Sequence, residues 1–109
     1  VHAAAFSVEA SNPRHAHEWK LWRDVKLPAG KVLIPGVIDS VTNFVEHPEL
    51  VADRIMNYAG IVGRERVIAG TDCGFGTSAL NENIYPPIVW AKLASLAEGA
   101  MLASKQLWR

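Results

Sequence analysis

The chain has 109 residues, 50% of them hydrophobic and 20% charged, so we treat residues 1–109 as one small globular domain and exclude a disordered chain. Eleven basic side chains balance eleven acidic ones, which gives no reason to expect nucleic acid or an anionic membrane as a partner. No apolar run approaches the roughly 20 residues of a membrane helix.

The compartment is indicated by the cysteine content. The chain has one cysteine, which cannot form an internal disulfide, and it has no N-terminal pattern typical of a signal peptide. We therefore expect a protein of the reducing cytoplasm. The sequence also begins with Val1 and enters an apolar segment at once, so we expect it to be a piece of a longer protein.

The first predicted βα unit begins with a strand over about residues 3–9, which ends in the acidic Glu9. The triplet Ser11-Asn12-Pro13 interrupts the strand and has polar groups suited to a helix N-terminus. A helix is then predicted over about residues 14–25. Its apolar face comprises Trp19, Trp22 and Val25.

The second predicted unit begins with the strand K-V-L-I-P-G-V-I at residues 31–38, followed by Asp39. Because proline cannot donate a hydrogen bond to a neighbouring strand, Pro35-Gly36 predicts a bulge or bend. His47-Pro48-Glu49 predicts the start of a helix, which Gly60 or Gly63 ends. Its buried stripe follows the 3.6-residue period and comprises Leu50, Val51, Ile55, Tyr58 and Ile61 or Val62.

The third predicted unit begins in the stretch R-V-I-A-G-T-D-C-G-F-G-T, where residues 67–69 predict a fully buried strand that ends at Gly70. Asp72 and Cys73 lie at its tip. A loop rich in glycine and asparagine, Phe75 to Tyr85, precedes a helix that Pro86-Pro87 begins and that ends near Leu107. The predicted buried stripe of this helix is Val89, Leu93, Leu96, Ala97, Ala100, Met101 and Leu107.

This order predicts an α/β fold of three consecutive βα units. Right-handed crossovers make the strands parallel, and sites in such sheets lie at the carboxyl ends of the strands. We therefore expect Glu9, Asp39, Asp72 and Cys73 to gather at one edge of the sheet. Carboxylates beside a thiol favour a divalent metal, zinc in particular, over a nucleophilic cysteine, since no strand tip carries a histidine.

Three motifs together resemble the C-terminal barrel of the cobalamin-independent methionine synthase family over nearly the whole chain. They are F-S-V-E-A-S around Glu9, I-P-G-V-I-D ending in Asp39, and T-D-C-G around Cys73. The resemblance implies the last three units of a TIM (β/α)8 barrel, in which zinc activates a thiol for alkylation. It also implies that Glu9 and Cys73 are zinc ligands and that Asp39 and Asp72 shape the site.

Two features depart from the family. Its other two ligands form a His-x-Cys pair upstream of the glutamate strand, and this sequence contains no such pair. We therefore expect the chain to be inactive alone. Methionine synthases carry a histidine two residues after the aspartate, whereas this sequence has Val41. This departure weakens the case for methyltetrahydrofolate as the donor. It leaves room for relatives that alkylate thiols other than homocysteine, such as the epoxyalkane:coenzyme M transferases, which the chain also resembles.

Simpler interpretations stand beside these. A lone cysteine near a strand end is usually a small buried hydrophobe, Glu9 could cap a helix, and Asp39 could bond to loop amides. His15 and His17 are expected at a solvated helix start. The four tryptophans are expected to form packing surface.

The main alternative is a non-catalytic oligomeric α/β module without metal, and a phosphate-binding half-barrel is a third interpretation. A three-stranded parallel sheet leaves two edges unpaired. We therefore expect a homo-oligomer, or association with a complementing N-terminal part of the barrel. Neither nucleic acid nor a membrane is expected as a partner.

Overall fold

The computed structural model of the protein describes residues 3–40, 42–75 and 86–108. Its strands are β1 (Ala5–Val8), β2 (Val32–Ile38) and β3 (Gly70–Thr71). They pair in the order β1-β2-β3, and both pairings are parallel. Helix α1 (Pro48–Val62) lies between β2 and β3, and helix α2 (Pro86–Leu107) follows β3. The predicted α/β class with three parallel strands is confirmed.

The middle strand pairs with its two neighbours over different parts of its length. β1 pairs with the first half, and its last residue, Val8, lies opposite Pro35. β3 pairs with the second half, from Gly36, and the register shifts between Gly36 and Ile38. The predicted irregularity at Pro35-Gly36 is confirmed as this shift.

The predicted helix over residues 14–25 is wrong. Turns lead instead into a 3-10 helix at Glu18–Arg23. Asn12 begins this segment as it would begin an α-helix, since its side-chain Oδ1 accepts hydrogen bonds from the amides of Arg14 and His15. Backbone hydrogen bonds between residues three apart follow, such as that from the amide of Glu18 to the carbonyl oxygen of His15, and these form 3-10 rather than α-helical turns. The 3-10 helix ends before Val25, which is 60% exposed, whereas Trp19 and Trp22 of the predicted apolar face pack against the core.

The third strand is also shorter and later than predicted. Gly70 belongs to β3 rather than ending it, and residues 67–69 add only a single bridge between Val67 and Leu33. Ile68 is 54% exposed, so the prediction of a fully buried strand at residues 67–69 is wrong. Within the described residues β3 pairs with β2 alone, so no further strand covers the side chains at this edge of the sheet.

Helix α1 begins where the sequence predicts. Pro48 is its first residue, and Nδ1 of His47 accepts a hydrogen bond from the amide of Glu49 at 3.1 Å. It ends at Gly63, whose φ of 101° suits glycine. The predicted buried residues Val51, Ile55 and Tyr58 are confirmed. Leu50 was wrongly predicted to be buried: it is 41% exposed, because it lies one residue outside the face centred on Val51 and Ile55.

Helix α2 has the predicted bounds, and its predicted stripe is confirmed in part, since Leu93, Leu96 and Ala100 pack against the core. Met101 is 57% exposed and Ala97 is exposed, contrary to prediction. The buried side of the helix consists of Lys92, Ser95, Gly99 and Ala103. An added Cβ on Gly99 would lie 2.5 Å from Cβ of Val51, so small residues let the two helices approach closely. A count of large apolar residues therefore found one flank of the buried face and missed the small and polar residues at its centre.

The core consists of two apolar clusters. The larger lies between β2 and the two helices and contains Val37, Ile38, Val51, Ala52, Ile55 and Ala103. The smaller contains Ala10, Leu27, Leu33 and Tyr58, with Trp19 and Trp22 packed against it. Burial raises the pKa of Tyr58 to about 12.

Neither of the described helices, α1 and α2, is long and apolar enough to cross a membrane. The predicted loop from Phe75 to Tyr85 lies outside the described residues except for Phe75.

Candidate functional site

The carboxyl ends of the three strands meet at one cavity of about 440 Å³. Each strand contributes an acidic side chain to its wall: Glu9 follows β1, Asp39 follows β2 and Asp72 follows β3. Arg14 and His15, from the turn after β1, also line it. The structure thus brings together the residues that the parallel strand order was expected to gather.

The thiol of Cys73 lies directly beside the carboxylate of Glu9. Its Sγ donates a hydrogen bond to Oε1 of Glu9 at 2.9 Å, although the two residues are 64 positions apart. Cys73 is exposed. The hydrogen bond to Glu9, with a smaller effect of burial, raises the pKa of the Cys73 thiol. The raised pKa agrees with Cys73 acting as the hydrogen-bond donor in this contact.

The imidazole of His15 contacts the other oxygen of Glu9. Nε2 of His15 lies 3.2 Å from Oε2 of Glu9, and Nδ1 lies 2.8 Å from Oε1 of Glu18. The hydrogen bond to Glu18 is the largest cause of the raised pKa of His15. His17 is exposed, as expected; His15 is 33% exposed, and sequence reasoning missed its contacts with the two glutamates. The glutamate three residues later was the signal that could have distinguished them.

Asp72 connects β3 to the chain that follows β1. Its Oδ1 accepts hydrogen bonds from the amides of Ala10 and Ser11 at 2.8 and 3.0 Å, and its Oδ2 accepts one from Nδ2 of Asn12 at 3.0 Å. The residue is 8% exposed. An added Cβ on Gly36 would lie 2.6 Å from Cα of Asp72, so only glycine allows this approach. Asp72 thereby holds one wall of the cavity in place.

Asp39 is hydrogen-bonded through its backbone to a buried ion pair that sequence reasoning missed. The backbone amide of Asp39 donates to Oε2 of Glu46 at 2.6 Å, and Oε1 of Glu46 accepts from Nζ of Lys92 at 2.8 Å. The side chains of Glu46 and Lys92 are both fully buried. Ser95 donates its hydroxyl to the carbonyl oxygen of Glu46. Helix α2 therefore anchors the segment that leaves β2 at the cavity.

The donors present fit half of a zinc site. Glu9 and Cys73 offer a carboxylate oxygen and a sulfur, both of which zinc accepts, and they already touch. Over residues 3–40, 42–75 and 86–108 there is no group of three or more His, Cys, Asp or Glu side chains that could hold a metal ion. A four-coordinate site would therefore need further ligands. Val41, the position at which the sequence departs from the methionine synthases, lies outside the described residues.

Comparison with known proteins supports the fold. No protein-family model matches the sequence, and no curated protein matches it. The structure is similar to that of a B12-independent methionine synthase from Shewanella sp. W3-18-1 in complex with selenomethionine, with a TM-score of 0.80 and 24% sequence identity. The match covers 98% of this chain and 28% of the synthase chain. The predicted resemblance is confirmed for the fold: the chain has a partial TIM-barrel-like α/β fold, similar to part of a B12-independent methionine synthase.

Proposed function

We propose that the chain supplies part of the active site of a zinc-dependent thiol alkyltransferase. The observation that carries this proposal is the 2.9 Å contact between the Cys73 thiol and the Glu9 carboxylate at the strand ends. These residues would be two of four zinc ligands, and a His-x-Cys pair elsewhere in the complete enzyme would supply the others. The acceptor would be a small thiol such as homocysteine or coenzyme M.

The bound zinc ion would lower the pKa of the acceptor thiol, so that a thiolate is available at neutral pH. The role of this chain is to present its two ligands side by side. The proton that Cys73 now donates to Glu9 must leave to solvent before both side chains can bind a metal, so metal binding should release a proton.

The aspartates would have different roles in this site. All three donors around Asp72 are groups of the protein itself, so Asp72 would act by holding the wall that carries Glu9. Asp39 lines the cavity and has its backbone held by Glu46, so it would shape the substrate-binding part of the site.

Cobalt(II) substitution tests this proposal. The chain, stripped of metal with a chelator, would be titrated with Co²⁺ and monitored for sulfur-to-cobalt absorption in the near ultraviolet. We expect the band in the wild-type chain, its loss in Cys73→Ser and weaker binding in Glu9→Gln. Asp53→Asn is the matched control, because Asp53 is an exposed acid on α1. Because water can complete the coordination of an ion held by Glu9 and Cys73, absence of a sulfur-to-cobalt band from the wild-type chain at excess Co²⁺ would contradict the proposal.

A second proposal concerns association. Within the described residues, β1 and β3 each pair with β2 alone, which leaves one edge of each open. Several large apolar side chains are also exposed: Leu21, Val25, Phe44, Val45, Leu50, Ile68, Trp90, Met101 and Trp108. We propose that these surfaces bind a second copy of the chain or a complementing barrel part. Light scattering after gel filtration would contradict self-association if it showed a monomer at all concentrations.

A further inference from the structure

We propose that His15 is a positioning residue that holds the Glu9 carboxylate in the orientation in which it meets Cys73. The inference rests on the proposed function in that it treats Glu9 and Cys73 as zinc ligands. His15 would not touch the metal or the substrate thiol. It would act through Glu9 alone.

The two oxygens of Glu9 have separate partners. Oε1 accepts from Sγ of Cys73 at 2.9 Å, and Oε2 lies 3.2 Å from Nε2 of His15. The second ring nitrogen, Nδ1, lies 2.8 Å from Oε1 of Glu18. Both ring nitrogens therefore lie within hydrogen-bonding distance of a carboxylate oxygen. The imidazole is therefore held at both ends, with one end on the proposed ligand.

The backbone of His15 is held as well. Its amide donates to Oδ1 of Asn12 at 3.2 Å, and its carbonyl oxygen accepts from the amide of Glu18 at 2.9 Å. The side chain of Asn12 in turn donates to Oδ2 of Asp72. The turn that carries His15 is thus attached to the end of β3, close to Cys73. A fixed turn and a doubly bonded ring make His15 a rigid support.

Glu9 needs such a support because its side chain is 41% exposed. An exposed glutamate samples several rotamers, and ordering it on metal binding costs conformational entropy. A partner that orders the carboxylate beforehand reduces this cost. Residues that hydrogen-bond to metal ligands typically change metal affinity by about 10–100-fold when they are replaced. An exposed ion pair contributes little to stability, so stability alone would not reveal this role.

The test uses His15→Ala and His15→Gln, with His17→Ala as the matched control, since His17 is an exposed histidine in the same segment. The first measurement is made on the metal-free chain by NMR: the NOE between the Glu9 γ protons and the Cys73 β protons. We expect His15→Ala to lose it, His15→Gln to retain part of it, and His17→Ala to leave it unchanged. The second measurement is zinc affinity by chelator competition, where His15→Ala should bind about 10–100-fold more weakly.

The two measurements separate the two proposals. An unchanged NOE in His15→Ala overturns the positioning role, as does an unchanged zinc affinity. If the wild-type chain binds no zinc, the proposed function fails, while loss of the NOE in His15→Ala still supports the positioning role. If His15→Ala does not fold, Glu18→Ala replaces it, because this change keeps the imidazole and removes its anchor. It should weaken the same NOE, and an unchanged NOE overturns the role.

Discussion

Replacement of Asp72 by alanine would remove the connection between β3 and the chain after β1. The carboxylate accepts hydrogen bonds from the amides of Ala10 and Ser11. These two residues are only 4% and 7% exposed, so water cannot readily replace the lost acceptor. The third donor, on Asn12, is in a half-buried residue and can reach solvent.

The expected loss of stability follows from these two amides. A buried donor left without a partner costs about 1–3 kcal/mol, so two such donors lower the free energy of unfolding by about 2–6 kcal/mol. D72N keeps one oxygen for the two amides and loses only the bond from Asn12. Its effect should therefore be about 1–2 kcal/mol.

Urea unfolding followed by circular dichroism measures both variants. We expect the midpoint to fall in the order wild type, D72N, D72A, with an unchanged m-value. The control is Asp53→Ala on the exposed face of α1, which should stay within about 0.5 kcal/mol of the wild type. A loss below about 1 kcal/mol for D72A would refute the reasoning, because it would mean that the two amides have other acceptors.

Three further predictions test the packing and electrostatics. Gly99→Ala should destabilise the protein by about 1–3 kcal/mol, because the added methyl group would clash with α1. Gly60→Ala should stabilise it by about 0.5–1 kcal/mol, because an added Cβ there has no atom within 4 Å. Thermal unfolding that ranks the two variants in the opposite order would contradict the contact between the helices. Lys92→Met should cost up to about 3–5 kcal/mol, because it removes the nearest cation from the buried Glu46 carboxylate and leaves only Arg54 at 3.8 Å, and urea unfolding would show a near-neutral change if the pairing with Lys92 were absent. The hydrogen bond to Glu18 should raise the pKa of His15 above its usual value of 6.5. The contact of His15 with Glu18 then stabilises the fold fully below the unfolded-state pKa of the imidazole, and this stabilisation is lost as the pH rises through the folded-state pKa. An NMR titration in which Glu18→Gln leaves the pKa of His15 unchanged would contradict the contact.

The starts of the helices and the parallel order of the strands could be predicted, because the residues at each helix start and the alternation of strands and helices indicate the same fold. Proline at the first helical position begins both α1 and α2. Parallel strands place their carboxyl ends at one edge, so the neighbourhood of Glu9 and Cys73 follows from strand order without any three-dimensional information. The contact itself needs only two strand tips on the same side of the sheet.

The remaining features depend on interactions that a linear pattern does not encode. A lysine within an apolar helical period is normally assigned to the surface, yet Lys92 is buried because Glu46, 46 positions earlier, meets it. The capping bonds of Asn12 and the apolar spacing after it are compatible both with an α-helix and with the turns and 3-10 helix that form, so the linear pattern did not distinguish them. His15 reaches Glu9 only because that turn exists.

The claim that Glu9 and Cys73 hold one zinc ion is tested most directly by X-ray absorption at the zinc edge on the zinc-loaded chain. We predict a sulfur scatterer at about 2.3 Å from zinc in the wild-type chain, replaced by oxygen or nitrogen at about 2.0–2.2 Å in Cys73→Ser. Spectra that contain only oxygen and nitrogen neighbours and that are the same for both chains would contradict the claim.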